Sequence, residues 1–115
     1  MKNKSASTGA LQRQYQRLCS NLASTGYISQ GSVLDRSTLR PPRSGYQWTR
    51  KVARKTITVA LSREQFRSLG RAIQNRRQLQ KTITQMEKLS RQILFKTVPD
   101  TYRRKSLPNK ALGLI

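Results

Sequence analysis

From Leu61 to Phe95 the chain reads LSREQFRSLGRAIQNRRQLQKTITQMEKLSRQILF, with no proline and a single glycine, Gly70. Apolar residues recur three and four apart at Phe66, Leu69, Ala72 or Ile73, Leu79, Ile83, Met86, Leu89 and Ile93. That is the period of a helix and not of a strand. Ser62, followed by Glu64 and Gln65, supplies an N-cap hydroxyl and an acid for the first turn. A helix of this span is roughly 50 Å long at ~1.5 Å per residue, more than a small globule needs. Everything else that folds must therefore pack along its apolar stripe. The opposite face carries Arg63, Arg67, Arg71, Arg77, Lys81, Lys88 and Arg91 against Glu64 and Glu87, and must meet something negative.

The imbalance extends to the whole chain. Its 115 residues hold 24 Lys and Arg, 4 Asp and Glu and no His, a formal charge of +20. Such an excess repels itself in a folded protein and points to a polyanion that neutralises it. The 35% of hydrophobic residues at regular spacing argues against disorder in the middle of the chain. The length suits one small domain with a thin core, expected over 10–96, between a basic arm over 1–9 and a second over 97–115. The single Cys19 has no partner for an internal disulfide, so a reduced cytoplasmic setting, with nucleoid association as one form of it, is expected. No apolar run approaches the ~20 residues of a membrane span, and no membrane partner is expected.

Taken in order, Ala10 to Ala23 places Leu11, Tyr15, Leu18 and Leu22 on one face of a short amphipathic helix, which Thr25-Gly26 should end. Tyr27 to Leu34 alternates as a strand, with Gly31 as a bulge. DRSTLRPPRSG, with Arg36, Arg40 and Arg43, is turn chemistry and reads as an exposed basic loop. Tyr46 to Ala60 reads as a β-hairpin whose tip is Arg54-Lys55. Tyr46, Trp48 and Arg50 share one of its faces, and Gln47, Thr49 and Lys51 the other. These elements predict an α+β protein: a short N-terminal helix, a small antiparallel sheet, a long basic amphipathic helix and disordered basic termini.

Catalysis finds little support. Asp35, Glu64, Glu87 and Asp100 fall in separate segments, so paired carboxylates are not expected. Without His, and with one Cys, neither zinc-ligand spacings nor a Cys–His pair exists. No glycine-rich phosphate loop is present. We expect no enzyme, no cofactor and no metal.

Nucleic-acid binding is well supported. Arg50, Lys51, Arg54 and Lys55 at the hairpin tip, Arg67, Arg71, Arg76, Arg77 and Lys81 on the long helix, and Arg103, Arg104 and Lys105 near the C-terminus are the expected backbone-contacting residues. Trp48 and Tyr46 suit either base stacking or the core of a small sheet, and core is favoured for Trp48. Asn75-Arg76-Arg77 suits a major groove or a solvated face. The reading is a non-catalytic accessory or architectural protein on DNA. Two alternatives stand beside it: an RNA-binding subunit of a larger ribonucleoprotein with threaded basic arms, and a protein-only adaptor or inhibitor of an acidic partner. The long helix should pair antiparallel with the N-terminal helix, or with its counterpart in a homodimer.

Gly31-Ser32-Val33, the hairpin around Tyr46-Gln47-Trp48-Thr49-Arg50-Lys51-Val52 with Lys55-Thr56-Ile57-Thr58, and Ile73-Gln74-Asn75-Arg76-Arg77-Gln78-Leu79 form an ordered set. In this layout the chain resembles, from about Ile28 to Leu94, a family of small prokaryotic proteins of no established function found near mobile elements. Members run from a glycine-serine start through a Cys-rich knuckle and an aromatic hairpin to a long Arg-rich helix. Where they carry cysteines, this chain has Arg36 to Ser44 and no cysteine. The resemblance implies the fold without a zinc knuckle, and a mobile-element or DNA-associated role.

Overall fold

The structure, a computed structural model, describes residues 7–101 and 106–114. Along the chain come α1 (Thr8–Ala23), β1 (Ser32–Asp35), a 3-10 turn (Arg36–Thr38), β2 (Tyr46–Val52), β3 (Lys55–Leu61), α2 (Arg63–Thr97) and α3 (Asn109–Leu112). This is the expected α+β order of N-terminal helix, three-stranded antiparallel sheet and long helix. The described residues divide into two compact units, one made of Thr25–Leu79 and the other of the described residues on either side of it.

In the Thr25–Leu79 unit the strands lie in the order β1-β2-β3, all antiparallel. Val33, Trp48 and Val59 stand opposite one another across the sheet, as do Asp35, Tyr46 and Leu61, so these residues share one face. The first half of α2 lies against that face. Tyr46 stacks on Phe66 with ring centroids 4.5 Å apart, and a Cβ at Gly70 would sit 3.6 Å from Val33 Cγ2. The helix starts where a capping box closes it: the Ser62 amide donates to Gln65 Oε1 (3.0 Å) and the Gln65 amide to Ser62 Oγ (3.1 Å). It ends at Thr97, just before Val98-Pro99, where proline cannot continue the backbone ladder. Ala72 and Ile73 are the buried side chains of this unit. β3 is one edge of the sheet, and its residues from Lys55 to Ala60 are all exposed.

The strand expected over Tyr27–Leu34 is shorter. Only Ser32–Asp35 pairs with β2, because the backbone of the preceding residues goes to other partners. Asn75 Nδ2 donates to Tyr27 O (2.9 Å), the Ser29 amide to Ala72 O (3.2 Å) and Trp48 Nε1 to Gln30 O (3.0 Å). Gly31 is not a bulge but the bend that turns this segment into β1, at φ +101°. A Cβ there would lie 2.6 Å from both Thr49 O and Trp48 Nε1. Nor does Gly26 form a left-handed cap on α1: Ser24 is the C-cap, and its amide donates to the Asn21 and Leu22 carbonyls.

In the other unit α1 begins at Thr8, two residues earlier than the periodicity places it, because Ser7 caps it by accepting from the Ala10 amide at 3.1 Å. Gln12 and Tyr15 line a groove with Ser90, Ile93 and Leu94, while Leu22 lines one with Ile83 and Met86. The two helices therefore run antiparallel, with Leu11 and Leu89 as their buried residues. The segment read as an unpatterned C-terminal arm contains α3, closed by Gly113 in the left-handed conformation. Arg91 Nε donates to the Leu112 carbonyl, so one cation of the long helix is engaged within the chain.

A candidate nucleic-acid interface on the hairpin

The β2–β3 connection is a two-residue turn at Ala53 and Arg54, both at positive φ (50° and 68°). That is the type I′ geometry, whose twist matches the flanking strands and which ordinarily favours Asn-Gly. The alternation in the sequence puts the tip one residue later, at Arg54-Lys55. Lys55 is instead the first residue of β3, opposite Val52. Four cations nevertheless fall within the six residues 50–55, and no acid occurs between Tyr46 and Leu61.

The strand register sorts these cations. Arg50 and Lys55 belong to the face that α2 partly covers, with Arg50 opposite Ile57 and its Cζ 5.6 Å from the Trp48 ring centroid. Lys51, opposite Thr56, belongs to the outward face. Arg54 stands in the turn between them. Lys51, Arg54 and Lys55 are exposed, and Arg50 is half-buried by its contact with Trp48. Trp48 itself is half-buried, with its N–H given to Gln30 O, which fits a packing role for the ring.

The helix residues do not form one surface. Arg67 and Arg71, four apart, are exposed on one stripe of α2. Arg76 is half-buried and Arg77 exposed, and neighbours on a helix point about 100° apart, so these two face different sides. Lys81 is exposed and belongs to the other compact unit. Asn75, read as a base-edge candidate, uses its amide nitrogen to hold the Tyr27 carbonyl. Arg103, Arg104 and Lys105 lie outside the described residues, as do residues 1–6 of the N-terminal arm.

The outward face of the sheet carries residues that charge counting alone does not select. Its rows are Leu34–Gln47–Ala60, Ser32–Thr49–Thr58 and Lys51–Thr56. At the end away from the turn, Arg36 Nε donates to Gln47 Oε1 at 3.1 Å, which brings a guanidinium beside this face. The loop that supplies Arg36 is closed by the Arg36 amide to Gly45 O (2.9 Å) and the Arg43 amide to Arg36 O (3.1 Å), leaving Arg40 and Arg43 exposed on it. Asp35 starts the 3-10 turn. Its carboxylate accepts from the Ser37 hydroxyl (2.7 Å) and amide (2.9 Å), and these bonds hold it below the ordinary aspartate range. The alternation of Gln47, Thr49 and Lys51 against Tyr46, Trp48 and Arg50 marks this face in the sequence, whereas nothing local marks the approach of Arg36 to it.

Among the described residues no group of three or more His, Cys, Asp or Glu side chains is placed to hold a metal ion, and no helix is long and apolar enough to cross a membrane. A scan against protein-family models and searches of the curated proteins and of the solved structures each found no match.

Proposed function

We propose that this chain is a non-catalytic DNA-binding protein, an accessory or architectural subunit that holds duplex DNA chiefly through its phosphate backbone. The observation that carries the reading is the hairpin turn, which gathers Arg50, Lys51, Arg54 and Lys55 at one end of a sheet whose two long strands contain no acid. Four carboxylates cannot pair 24 cations, so most of the charge is left for an external polyanion. Phosphate contacts fix affinity and register without reading sequence, which suits long cations on a turn and on helix stripes. Arg67, Arg71, Arg76, Arg77 and Lys81 add to the field and not to the same contact surface.

The test is fluorescence anisotropy on a labelled mixed-sequence duplex, repeated between 50 and 200 mM salt. Four phosphate contacts from the tip give a slope of log K on log salt of about −3.6, at ~0.9 per contact. Replacing Arg54 and Lys55 by Gln should reduce that slope by about 2 and weaken all sequences alike. If Glu at positions 54, 55, 76 and 77 together left affinity unchanged, the surface would be misplaced. A clear preference for structured RNA over the duplex would transfer the reading to a ribonucleoprotein subunit. Binding to neither would leave an acidic protein partner.

A further inference from the structure

Building on that reading, we infer that the outward face of the β2–β3 ribbon enters the DNA major groove, with Thr49, Lys51, Thr56 and Thr58 toward the base edges. The first support is accessibility. α2 lies against the opposite face at Tyr46 and Val33, whereas Lys51, Thr56 and Thr58 are exposed and Thr49 is only half-buried. The second is chemistry. The helix-side face beyond the helix presents Val52, Ile57 and Val59, at 37%, 40% and 41% exposure, which offer nothing to polar base edges; of its two cations Arg50 lies over the Trp48 ring and Lys55 stands at the turn. Toward the turn the outward face presents the hydroxyls and methyls of Thr49, Thr56 and Thr58 and the Lys51 ammonium, while Leu34, Gln47 and Ala60 form its far row. Threonine bonds to base edges and its methyl packs on thymine, and lysine reaches guanine O6 and N7.

Shape and charge agree with the chemistry. From Lys51–Thr56 to the turn the sheet is two strands ~4.8 Å apart, a ribbon that the groove, about 12 Å wide, admits; β1 joins it only from Ser32, opposite Thr49. Arg36 stands beside Gln47 at one end of the rows, and Arg54 stands in the turn just beyond Lys51 at the other. Four residues at ~3.4 Å each separate Gln47 from Lys51 by about 14 Å, which sets cations at either end of the rows where phosphates border the groove. The deep, narrow major groove of A-form RNA does not admit such a ribbon, so B-form DNA is the occupant.

The experiment uses the full chain with Cys19→Ser and one new cysteine at a time on β3: Thr56→Cys and Thr58→Cys outward, Ile57→Cys and Val59→Cys on the helix side. All four positions are exposed on an edge strand, so substitution there disturbs little packing. Each variant is mixed with a duplex carrying an activated disulfide tether, either on cytosine N4 in the major groove or on guanine N2 in the minor groove. Gel shift of the same duplex establishes binding independently of the coupling. The expected result is coupling of the outward cysteines to the major-groove tether about tenfold faster than the helix-side pair, since proximity governs such rates. Faster coupling by the helix-side pair, or preference for the minor-groove tether, would overturn the inference while duplex binding stood. Equal, slow coupling at all four positions with a normal gel shift would also overturn it. Loss of the gel shift for the unsubstituted chain would instead remove the DNA-binding reading on which the inference rests.

Discussion

Gly31→Ala tests the account of how the hairpin is held, and its cost can be assembled from the geometry. At φ +101° the backbone adopts a conformation that side chains rarely enter, and occupying it costs about 1–3 kcal/mol. The new Cβ would stand 2.6 Å from Thr49 O, in the central strand, and 2.6 Å from Trp48 Nε1, where both groups must move. Moving the indole breaks its bond to Gln30 O, worth ~1 kcal/mol net. Moving the Thr49 carbonyl disturbs the ladder that pairs Thr49 with Ser32 and Thr58, at a similar cost of ~1 kcal/mol. Together these give about 3–5 kcal/mol, a large share of the ~5–15 kcal/mol of an ordinary domain.

Urea unfolding followed by the fluorescence of Trp48, the single tryptophan, reads this unit directly. With an m-value of ~1.5 kcal/mol/M the midpoint should fall by about 2–3 M. Far-UV circular dichroism run in parallel checks that the loss is cooperative. Gly70→Ala serves as the control of opposite sign. Its Cβ would meet Val33 Cγ2 at an ordinary 3.6 Å, and alanine in a helix interior gains about 0.5–1 kcal/mol over glycine. A loss below ~1 kcal/mol for Gly31→Ala would refute the reasoning, because the strain term alone exceeds it.

Replacing Ala53-Arg54 by Asn-Gly should stabilise the hairpin by about 1–2 kcal/mol, since both positions have positive φ, and the same melt would show it. Arg54→Gly in that variant also lowers the salt slope of DNA binding by about 1, so stability and affinity should move in opposite directions. Ser62→Ala removes one half of the capping box and should cost about 1 kcal/mol, with faster amide exchange at Gln65 and Phe66. Asp35 is held below its ordinary 3.8, first by the Ser37 hydroxyl and then by the Ser37 amide. Its contribution to stability is therefore complete above the unfolded value and lost as pH falls through the folded one, in the acid range below 3.8. Ser37→Ala should raise the Asp35 titration, followed by carboxyl-carbon NMR, back toward 3.8. An unchanged titration would remove the hydroxyl as the cause.

The parts of the fold that are legible in the sequence are those set by local chemistry repeated over many residues. α2 declares itself through the spacing of Phe66, Ile73, Leu89 and Ile93 and through the Ser62–Gln65 cap. The hairpin declares itself through alternation, which sorts Arg50 from Lys51 as the strand register does. What stays hidden is set by partners distant in sequence. Tyr27–Gly31 alternates like a strand, yet its hydrogen bonds go to Ala72, Asn75 and Trp48. The turn is displaced by one residue because Ala53 and Arg54 lack the Asn-Gly signal of their own geometry. Arg91 and α3 illustrate the same limit, for nothing local announces that a helix cation will donate to the Leu112 carbonyl. For the candidate interface, net charge finds the cations but not their faces. Arg36 is drawn to the sheet by Gln47, and Arg76 and Arg77 are set apart by the helical twist.

The uncovered edge of β3 bears on how copies of this protein behave together. Lys55–Leu61 is short, rich in β-branched residues and carries one charge, and among the described residues no strand lies beyond its outer row of backbone groups. Such an edge is a template for pairing with another chain. Mutual repulsion of +20 particles keeps two such edges apart at low ionic strength. That repulsion reaches ~10 Å at 0.1 M salt and only ~3 Å at 1 M. A high-salt wash that strips bound polyanion therefore also lowers the barrier to edge-to-edge association. On a polyanion the charge is neutralised as well, while copies are brought side by side. On the proposed reading the same hairpin would offer grip to a polyanion and adhesion to a neighbour, the second held in check by the charge that supplies the first.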